Sequence, residues 1–221
     1  MMRVAHILSY YPGQEGLTSF CRGLGTAFGD IEEIEVPIIT FRSKPPKNPE
    51  LDQGPLLVRF PHKNRHPFDL PRKFLTSLNS GEFRLDGAVL HGTYSPQVFA
   101  LARVLHKRGI PYIFMPHDPY VEKLRKHHAI RKYVYWHLCE KWVIANAAAV
   151  QLLSASHEST LRELGCETPV YTLANGCNPG ELRKIGPNVR VPGEAEDFVI
   201  QYLGRMDRNH KGLDLLIRGY A

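Results

Sequence analysis

Short apolar runs that alternate with stretches of helical spacing constrain this chain more than any other feature of its sequence. The runs are rich in Val, Ile, Leu and Tyr, and their alternation with helices is typical of βαβ units. Strands this apolar are expected to be buried on both faces by flanking helices. We therefore predict an α/β protein with a parallel sheet flanked by helices. The predicted strands are Val4–Ser9, Glu35–Phe41, Leu56–Phe60, Ala88–His91, Tyr112–Met115, Val150–Ser154 and Val170–Leu173, and the predicted helices are Leu17–Phe28, Pro71–Leu78, Pro96–Arg108, Arg131–Ala147 and His157–Leu164.

The periodic pattern breaks over Asn175–Asp197, where glycine and proline recur without a sustained period. After this break the sequence predicts a strand at Phe198–Leu203 and a helix at Lys211–Tyr220. One strand and one helix cannot bury a core of their own. We therefore expect a first domain over residues 1–187, followed at 188–221 by a linker and the first strand and helix of an incomplete second domain.

The charge balance narrows the classes of partner. The chain carries 28 Lys and Arg against 22 Asp and Glu, a formal net charge of +6, which favours phosphates, sugar nucleotides or acidic lipid surfaces. With 43% hydrophobic residues and four widely spaced cysteines, the composition excludes a disordered chain and a disulfide miniprotein and favours a reducing compartment. No apolar run has the length of a secretory signal or a membrane span. We expect a cytoplasmic protein, either free or peripheral on the inner face of the membrane.

Glycines and polar side chains follow several predicted strands, at the sheet edge where open α/β folds bind their ligands. A loop with Gly13 and Gly16 opens onto the first helix, where free N–H groups can meet an anion; a plain turn is the alternative. His91 ends one strand and His117 follows the next, in positions suited to proton transfer or to polarising a hydroxyl group. Packed structural histidines are the alternative. Together with Asn175, these residues are predicted to line one cleft.

Metal and nucleic-acid sites are not indicated by the sequence. The remaining candidate ligands do not have the spacing of a metal site, so no metal ion is predicted. Those candidates are His62, His66, Asp118, His127 and His128. The sequence also contains no recognised RNA- or DNA-binding motif, so we do not expect a nucleic-acid partner.

A basic, aromatic-rich segment at Lys123–Trp142 carries an apolar stripe. Ile130, Val134, Leu138 and Trp142 recur every four residues, which places them along one side of a helix. A helix with an apolar stripe beside a basic face can lie on an anionic membrane. The alternative is a helix that packs this stripe against the sheet as part of the core.

Two cations near the end of the sequence are placed to bind a diphosphate. Arg205 follows the predicted strand and Lys211 opens the predicted helix, so both side chains and the N–H groups of the helix N-terminus can converge on one ligand. An exposed basic loop is the alternative.

The order and spacing of these motifs resemble the retaining glycosyltransferases of the GT-B fold, specifically glycosyltransferase family 4. The resemblance covers nearly the whole chain. It implies two Rossmann-like domains that face each other across a cleft, the first holding the acceptor and the second the sugar nucleotide. The segments that carry it are the glycine loop after the first strand, Val89–Gly92 with Ser95-Pro96, Ile110–Tyr112 with Pro116-His117, Ala147–Ser156 with the preceding helix, Asn175-Gly176, and Gly204-Arg205 with Lys211-Gly212.

The resemblance also implies roles for individual residues. Arg205 and Lys211 look like the pair that stabilises the leaving nucleoside diphosphate. Gly16 resembles the loop glycine that approaches the donor phosphates, and His117 the first-domain histidine next to the transferred sugar. No cofactor and no metal ion are implied, because the nucleoside diphosphate sugar is itself the donor substrate.

Two hypotheses about function follow. In the first, the chain belongs to a metal-independent glycosyltransferase that moves a sugar, with retention, onto a saccharide or lipid-linked acceptor. This short chain would be inactive alone, because most of the donor site would be missing. In the second, the chain is a non-catalytic binding module, or a truncated or split half that needs a second chain to supply the donor domain.

Overall fold

The structure, a computed structural model, describes residues 1–8, 16–29, 31–41, 57–62, 66–117, 120, 128–176, 200, 202 and 212–220. Contacts divide the chain into two units, Met1–Pro179 and Gly180–Ala221. The predicted domain boundary at residues 187 and 188 lies outside the described residues and stays a prediction. Most of the predicted strand Phe198–Leu203 also lies outside them.

The first unit alternates strands and helices as the sequence predicts. Its strands are β1 (Met2–Leu8), β2 (Ile34–Glu35), β3 (Ile38–Thr40), β4 (Leu57–Arg59), β5 (Gly87–His91), β6 (Tyr112–Met115), β7 (Ala149–Leu152) and β8 (Val170–Thr172). Its helices are α1 (Gly16–Phe28), α2 (Arg72–Ser80), α3 (Pro96–Lys107), α4 (Ala129–Tyr135), α5 (Lys141–Ala145) and α6 (Glu158–Glu163), with a π-helical segment at Trp136–Glu140 and a 3₁₀ turn at Ala155–His157. In the second unit, Leu213–Tyr220 forms α7.

One sheet of eight strands organises the first unit, in the order β4-β3-β1-β5-β6-β7-β8 with β2 paired to β1. Every ladder among the described residues is parallel. The chain builds outward from β1 through β3 to β4, then returns to add β5 to β8 on the other side of β1. This reversal creates a topological switch point between β1 and β5. The predicted Rossmann-like parallel sheet flanked by helices is confirmed.

The core lies on both faces of the sheet. Ile7 and Leu8 are neighbours in β1 and point to opposite faces, yet both side chains are buried, so both faces are covered. The helix α3 contributes a complete buried face, consisting of Val98, Leu101, Ala102 and Leu105. Each fully buried Leu, Ile or Phe side chain contributes about 1.5–3 kcal/mol relative to its exposed state. The central strands are thereby held firmly enough to position the side chains at their ends.

The predicted strand Glu35–Phe41 is wrong as a single strand. It is divided into β2 and β3, which pair with successive parts of β1. Pro37 lies between them and has no N–H to donate to a ladder, although its carbonyl still accepts a hydrogen bond from the His6 N–H at 2.9 Å. The proline therefore interrupts the strand without detaching the chain from β1.

The predicted helix Arg131–Ala147 is also more complex than one α-helix. The segment Trp136–Glu140 is π-helical, and the N–H of Lys141 donates to the carbonyl of Trp136, five residues earlier. Within this segment Trp136 and Glu140 are buried while Leu138 is exposed. Because this turn is wider than an α-helical turn, Leu138 faces away from Trp136 and Glu140. The predicted apolar stripe therefore does not run along one buried face of the helix.

Candidate functional site

A group of histidines lies at the switch point of the sheet. His6 is the fifth residue of the central strand β1, His91 is the last residue of β5, and His117 follows the end of β6 by two residues. Because the strands are parallel, their carboxyl ends meet at one edge, and β1 pairs directly with β5, which pairs with β6. Open α/β sheets bind ligands at this position.

The three imidazole rings form a continuous series, which we call the histidine chain. Nδ1 of His6 lies 2.9 Å from Nε2 of His91, and Nδ1 of His91 lies 2.7 Å from Nε2 of His117. Consecutive rings are stacked, with centroids 5.0 Å apart in each pair. His6 and His91 are buried, whereas His117 is half-buried. The structure thus brings His91 and His117 together and adds His6 behind them.

Burial keeps the inner part of the histidine chain uncharged. It lowers the pKa of His6 to about 4, and repulsion from His117 acts in the same direction. Burial also holds the pKa of His91 well below its usual value, with smaller contributions from His6 and His117. A neutral imidazole offers one N–H donor and one acceptor nitrogen. Near pH 7 the inner rings therefore act as hydrogen-bonding groups and do not carry positive charge.

Phe20 of α1 covers the histidine chain from the side. Its ring lies edge-on to His91 and His117, with centroid separations of 6.3 and 5.9 Å. Apolar cover of this kind excludes water and strengthens the hydrogen bonds beneath it. The helix that begins after β1 thus contributes Phe20 to the site.

The loops that follow β5 and β6 have unusual backbone conformations. Tyr94 and His117 have φ angles of 51° and 61°, in the left-handed region that non-glycine residues seldom adopt. Gly92, with φ of 100°, occupies a conformation that only glycine tolerates easily. Its N–H donates to the carbonyl of Met115 at 3.1 Å and so joins the two loops. Strained residues persist where the surrounding contacts fix them, and they cluster at functional sites.

Glu140 makes some of the contacts that hold the loops after β5 and β6 in place. Its carboxylate accepts hydrogen bonds from the Tyr94 N–H at 3.1 and 3.2 Å and from the Tyr120 hydroxyl at 2.7 Å. Burial raises the pKa of Glu140 to about 7, although both hydrogen bonds favour the charged form. Glu140 therefore connects the π-helical segment to Tyr94 in the loop after β5 and to Tyr120, which follows β6.

A metal site is a second way to use two of these histidines. The ligand atoms of His6, Cys21 and His91 lie within 4.8 Å of one another. The facing nitrogens of the two histidines are 2.9 Å apart, which is a hydrogen-bond distance. Two nitrogens bound to one tetrahedral zinc ion at about 2.0–2.1 Å would be separated by roughly 3.3 Å. Burial also raises the pKa of Cys21 to about 12, so its thiol is neutral. The geometry favours a hydrogen bond, and the absence of a metal stays a prediction.

The other predicted site residues are placed less completely. Gly16 is the first residue of α1, and Asn175 is exposed beyond the end of β8. Since β8 is two strands beyond β6, the end of β8 lies about 10 Å further along the sheet than the end of β6, at the usual strand spacing. Gly13, Arg205 and Lys211 lie outside the described residues. The roles of all these residues stay predictions.

His6 and Glu140 were missed by the sequence reasoning. The signal for His6 was a single polar residue within the apolar run Val4–Leu8 of the central strand. The signal for Glu140 was a lone carboxylate in a basic, aromatic-rich helix. Both signals are weak, because their meaning depends on contacts with residues that are distant in the sequence.

The apolar stripe of the predicted amphipathic segment does not pack against the sheet as a unit. The side chains of Ile130, Val134 and Leu138 are 84%, 48% and 70% exposed, and that of Tyr133 is 68% exposed. We call these four residues the exposed apolar surface. Trp142 differs, because its ring packs edge-on against Phe99 at 5.7 Å. Three residues of the stripe therefore face solvent, and only Trp142 joins the core. None of the helices in the described part of the chain is long and apolar enough to cross a membrane.

Comparisons with known proteins agree with this fold. A family model described as "Glycosyl transferase 4-like domain" matches residues 19–176. No curated protein matches the chain. Among solved structures, MnaA of S. aureus in complex with UDP is similar, with a TM-score of 0.54 and 14% identity over 79% of this chain and 45% of that protein. A protein from Listeria monocytogenes assigned as a UDP-N-acetylglucosamine 2-epimerase has a TM-score of 0.55 and 11% identity over 86% of this chain and 50% of that protein. The chain thus spans about half the length of these proteins, and at such identities the likeness shows the fold alone.

Proposed function

The chain belongs to the glycosyl transferase 4-like domain family, and from this membership we propose that it is the acceptor-side half of a metal-independent, retaining glycosyltransferase. Its donor would be a nucleoside diphosphate sugar, and its acceptor a saccharide or a lipid-linked saccharide. The observation that carries the proposal is the histidine chain at the switch point, because it ends at a half-buried His117 beside the loops that follow β5 and β6.

Each proposed role follows from the chemistry of the residue. His117 would lie beside the transferred sugar, where an imidazole can hold and polarise a hydroxyl group. The N-terminus of α1, which begins at Gly16, offers N–H groups and a positive dipole end to phosphate oxygens. Arg205 and Lys211 would neutralise the leaving diphosphate. Catalysis would then depend mainly on holding donor and acceptor together and on stabilising the charge of the leaving group.

We propose further that the chain alone has no measurable transfer activity. Residues 188–221 would supply only the start of the donor domain, so the nucleoside would remain largely in solvent. Most of the binding energy for such a ligand comes from burial in a concave pocket. The remaining donor site would come from further sequence or from a second chain. A non-catalytic binding module is the alternative function.

A transfer and hydrolysis screen with a panel of sugar nucleotides tests this proposal. It should compare the 221-residue chain with the longest natural product that contains it. We expect turnover only in the longer product, and we expect His117→Ala to reduce that turnover about 100-fold, the lower end of acid–base contributions. His106→Ala is the matched control, since His106 is exposed at the end of α3. Turnover that His117→Ala leaves unchanged would remove His117 from the site.

Binding by the chain alone supplies a second test. Calorimetric titration with several nucleoside diphosphate sugars should show weak binding at most. Low micromolar dissociation constants that are lost in Arg205→Ala would contradict the proposal, because they would mean that this short chain forms a donor site of its own.

The exposed apolar surface favours a second role, peripheral attachment to an anionic membrane on its cytoplasmic side. Three basic side chains on the same helical stretch, Arg131, His137 and Lys141, are exposed, and its one carboxylate, Glu140, is buried. Apolar side chains can enter the boundary between headgroups and acyl chains while basic ones meet anionic lipids. Each Lys or Arg near such a surface contributes about 1 kcal/mol. A lipid-linked acceptor would then be within reach of the enzyme.

Vesicle sedimentation tests the membrane role. We expect the chain to bind vesicles with phosphatidylglycerol, to bind neutral vesicles less, and to be released from the anionic ones as salt is raised. Leu138→Ser should weaken binding. Leu215→Ser on α7 is the control, because Leu215 is also exposed, at 62%, but lies outside this surface. Equal recovery with neutral and anionic vesicles would contradict the role.

A further inference from the structure

The histidine chain has a regular connectivity that constrains its protons. In each contact, Nδ1 of one ring faces Nε2 of the next: His6 to His91 at 2.9 Å, and His91 to His117 at 2.7 Å. His91 therefore uses both of its ring nitrogens, and it is only 2% exposed. No nitrogen of His91 can change its proton without changing a hydrogen bond.

Counting protons leaves two arrangements. A neutral imidazole has one N–H and one bare nitrogen, and each N···N contact needs one proton between its two nitrogens. If His6 carries its proton on Nδ1, then Nε2 of His91 must accept, so His91 carries its proton on Nδ1, and the same step fixes His117 as Nδ1–H. If His6 is Nε2–H, the same reasoning makes all three rings Nε2–H. Mixed arrangements leave a contact with two protons or with none.

Burial supports the assumption that each inner ring carries one proton. The low pKa of His6, about 4, and the lowered pKa of His91 keep both rings neutral near pH 7. If His117 takes up a second proton, its Nε2 donates to His91, and the two inner rings are then both Nε2–H. An unpaired nitrogen or a doubly protonated contact in this buried position would be unfavourable, because a buried polar group without a partner loses its hydrogen bonds to water and gains none in the protein.

We propose that His6 is a positioning residue whose tautomer is coupled, through His91, to that of His117, so that the three rings share one tautomer and change it only together. The tautomer decides whether Nδ1 of His117 donates or accepts a hydrogen bond. His6 would thus affect whether His117 donates a hydrogen bond to a sugar hydroxyl or accepts one from it in the proposed glycosyltransferase. In this respect the inference rests on the proposed function.

Nitrogen NMR of the histidine-labelled full chain tests the proposal without any substrate, since Nδ1–H and Nε2–H rings have distinct ¹⁵N shifts. We expect one tautomer for all three rings. In His6→Phe, His91 loses its inner partner, so the ¹⁵N shifts of His117 should move toward the average of the two tautomers. His106→Phe is the control, because His106 is exposed and is not part of the histidine chain. This substitution should leave the ¹⁵N shifts of His117 unchanged. If His6→Phe does not fold, His6→Asn replaces it, because an amide at this position can either donate or accept and should also release His117.

Three results would overturn the proposal. One is wild-type protein in which His6 and His117 hold different tautomers. Another is a His117 tautomer that stays fixed in the folded His6 variant. The third is stoichiometric metal in the purified chain with loss of the His6 and His91 N–H signals, which would assign these rings to a metal site. None of these results depends on transfer activity. A failed transfer screen with matched tautomers would reject the function and keep the coupling.

Discussion

The histidine chain and the exposed apolar surface depart from the usual placement of side chains in opposite directions. One places polar rings inside the sheet, where His91 is 2% exposed, and the other places Ile130 in solvent at 84% exposure. The buried rings satisfy one another by hydrogen bonding, so their burial is compensated within the fold. The exposed side chains have no such compensation among the described residues. Buried polar groups and exposed apolar groups are the informative exceptions in a folded protein, and they are the two observations on which the proposed site and the proposed membrane role rest.

Acidification should produce the largest change in the unfolding free energy, because it protonates the buried histidine chain. His6 binds a proton more weakly in the folded chain, where its pKa is about 4, than in the unfolded chain, where it is 6.5. Stability from this group is therefore complete above pH 6.5 and falls as the pH drops toward 4, by about 3 kcal/mol. Urea unfolding between pH 7 and 4, carried out on the wild type and on a variant that lacks His6, measures this loss.

The variant His6→Phe isolates that contribution. Glu140 has a raised pKa and acts in the opposite direction, because its stability is lost as pH rises from 4.5 toward 7. Glu140 is present in both proteins, so its contribution cancels when the unfolding free energy of His6→Phe is subtracted from that of the wild type at each pH. We expect the variant to lose less stability on acidification. Identical pH profiles would mean that His6 is not buried as the structure shows.

The next effect in size concerns the contact that joins the two regions. Glu140→Ala leaves the Tyr120 hydroxyl and the Tyr94 N–H without their acceptor, which should cost about 2 kcal/mol of unfolding free energy. Glu140→Gln keeps an acceptor and should cost less. Glu163→Ala on α6 is the control, because Glu163 is exposed. A loss in Glu163→Ala equal to that in Glu140→Ala would contradict the role of Glu140 in fixing the loops.

The smallest change in unfolding free energy is expected for substitutions in the exposed apolar surface. Leu138→Ser should change the unfolding free energy by less than about 0.5 kcal/mol, as is usual for surface substitutions. Leu101→Ala in the buried face of α3 should cost about 2–5 kcal/mol. Denaturant unfolding of both variants compares them directly. If Leu138→Ser destabilises the chain by as much as Leu101→Ala, the surface is core and the comparison fails.

The sequence predicted the sheet well because each strand is a local signal. Ala88–Leu90 and Tyr112–Met115 are continuous apolar runs, and both lie in strands. The failures arise where a contact between distant residues decides. Pro37 divides one predicted strand in two, because it has no N–H to donate to the ladder, while both parts still pair with β1. The expected family was confirmed by the match over residues 19–176.

The site was only partly predictable for the same reason. His91 and His117 were singled out because they follow strands, and parallel strands end at one edge. His6 could not be added, since its contact with His91 joins residues 85 positions apart in the sequence. Glu140 depends on a π-helical turn that no apolar period reveals. Gly13, Arg205 and Lys211 stay predictions that rest on their positions in the sequence pattern and, for Arg205 and Lys211, also on the resemblance to known motifs.

The π-helical segment at Trp136–Glu140 also affects how this chain can vary over evolutionary time. Each residue of an α-helix turns the chain by about 100°, so a one-residue deletion in a regular helix such as α3 rotates everything that follows by that angle. The π-helical segment differs, because its hydrogen bond from the Lys141 N–H to the Trp136 carbonyl closes over five residues where an α-helix uses four. A one-residue deletion here would let the turn close as a regular α-helix and keep the buried Val143 and Ile144 facing the core. Sequences that share this fold should therefore tolerate the loss of one residue here better than in a regular helix.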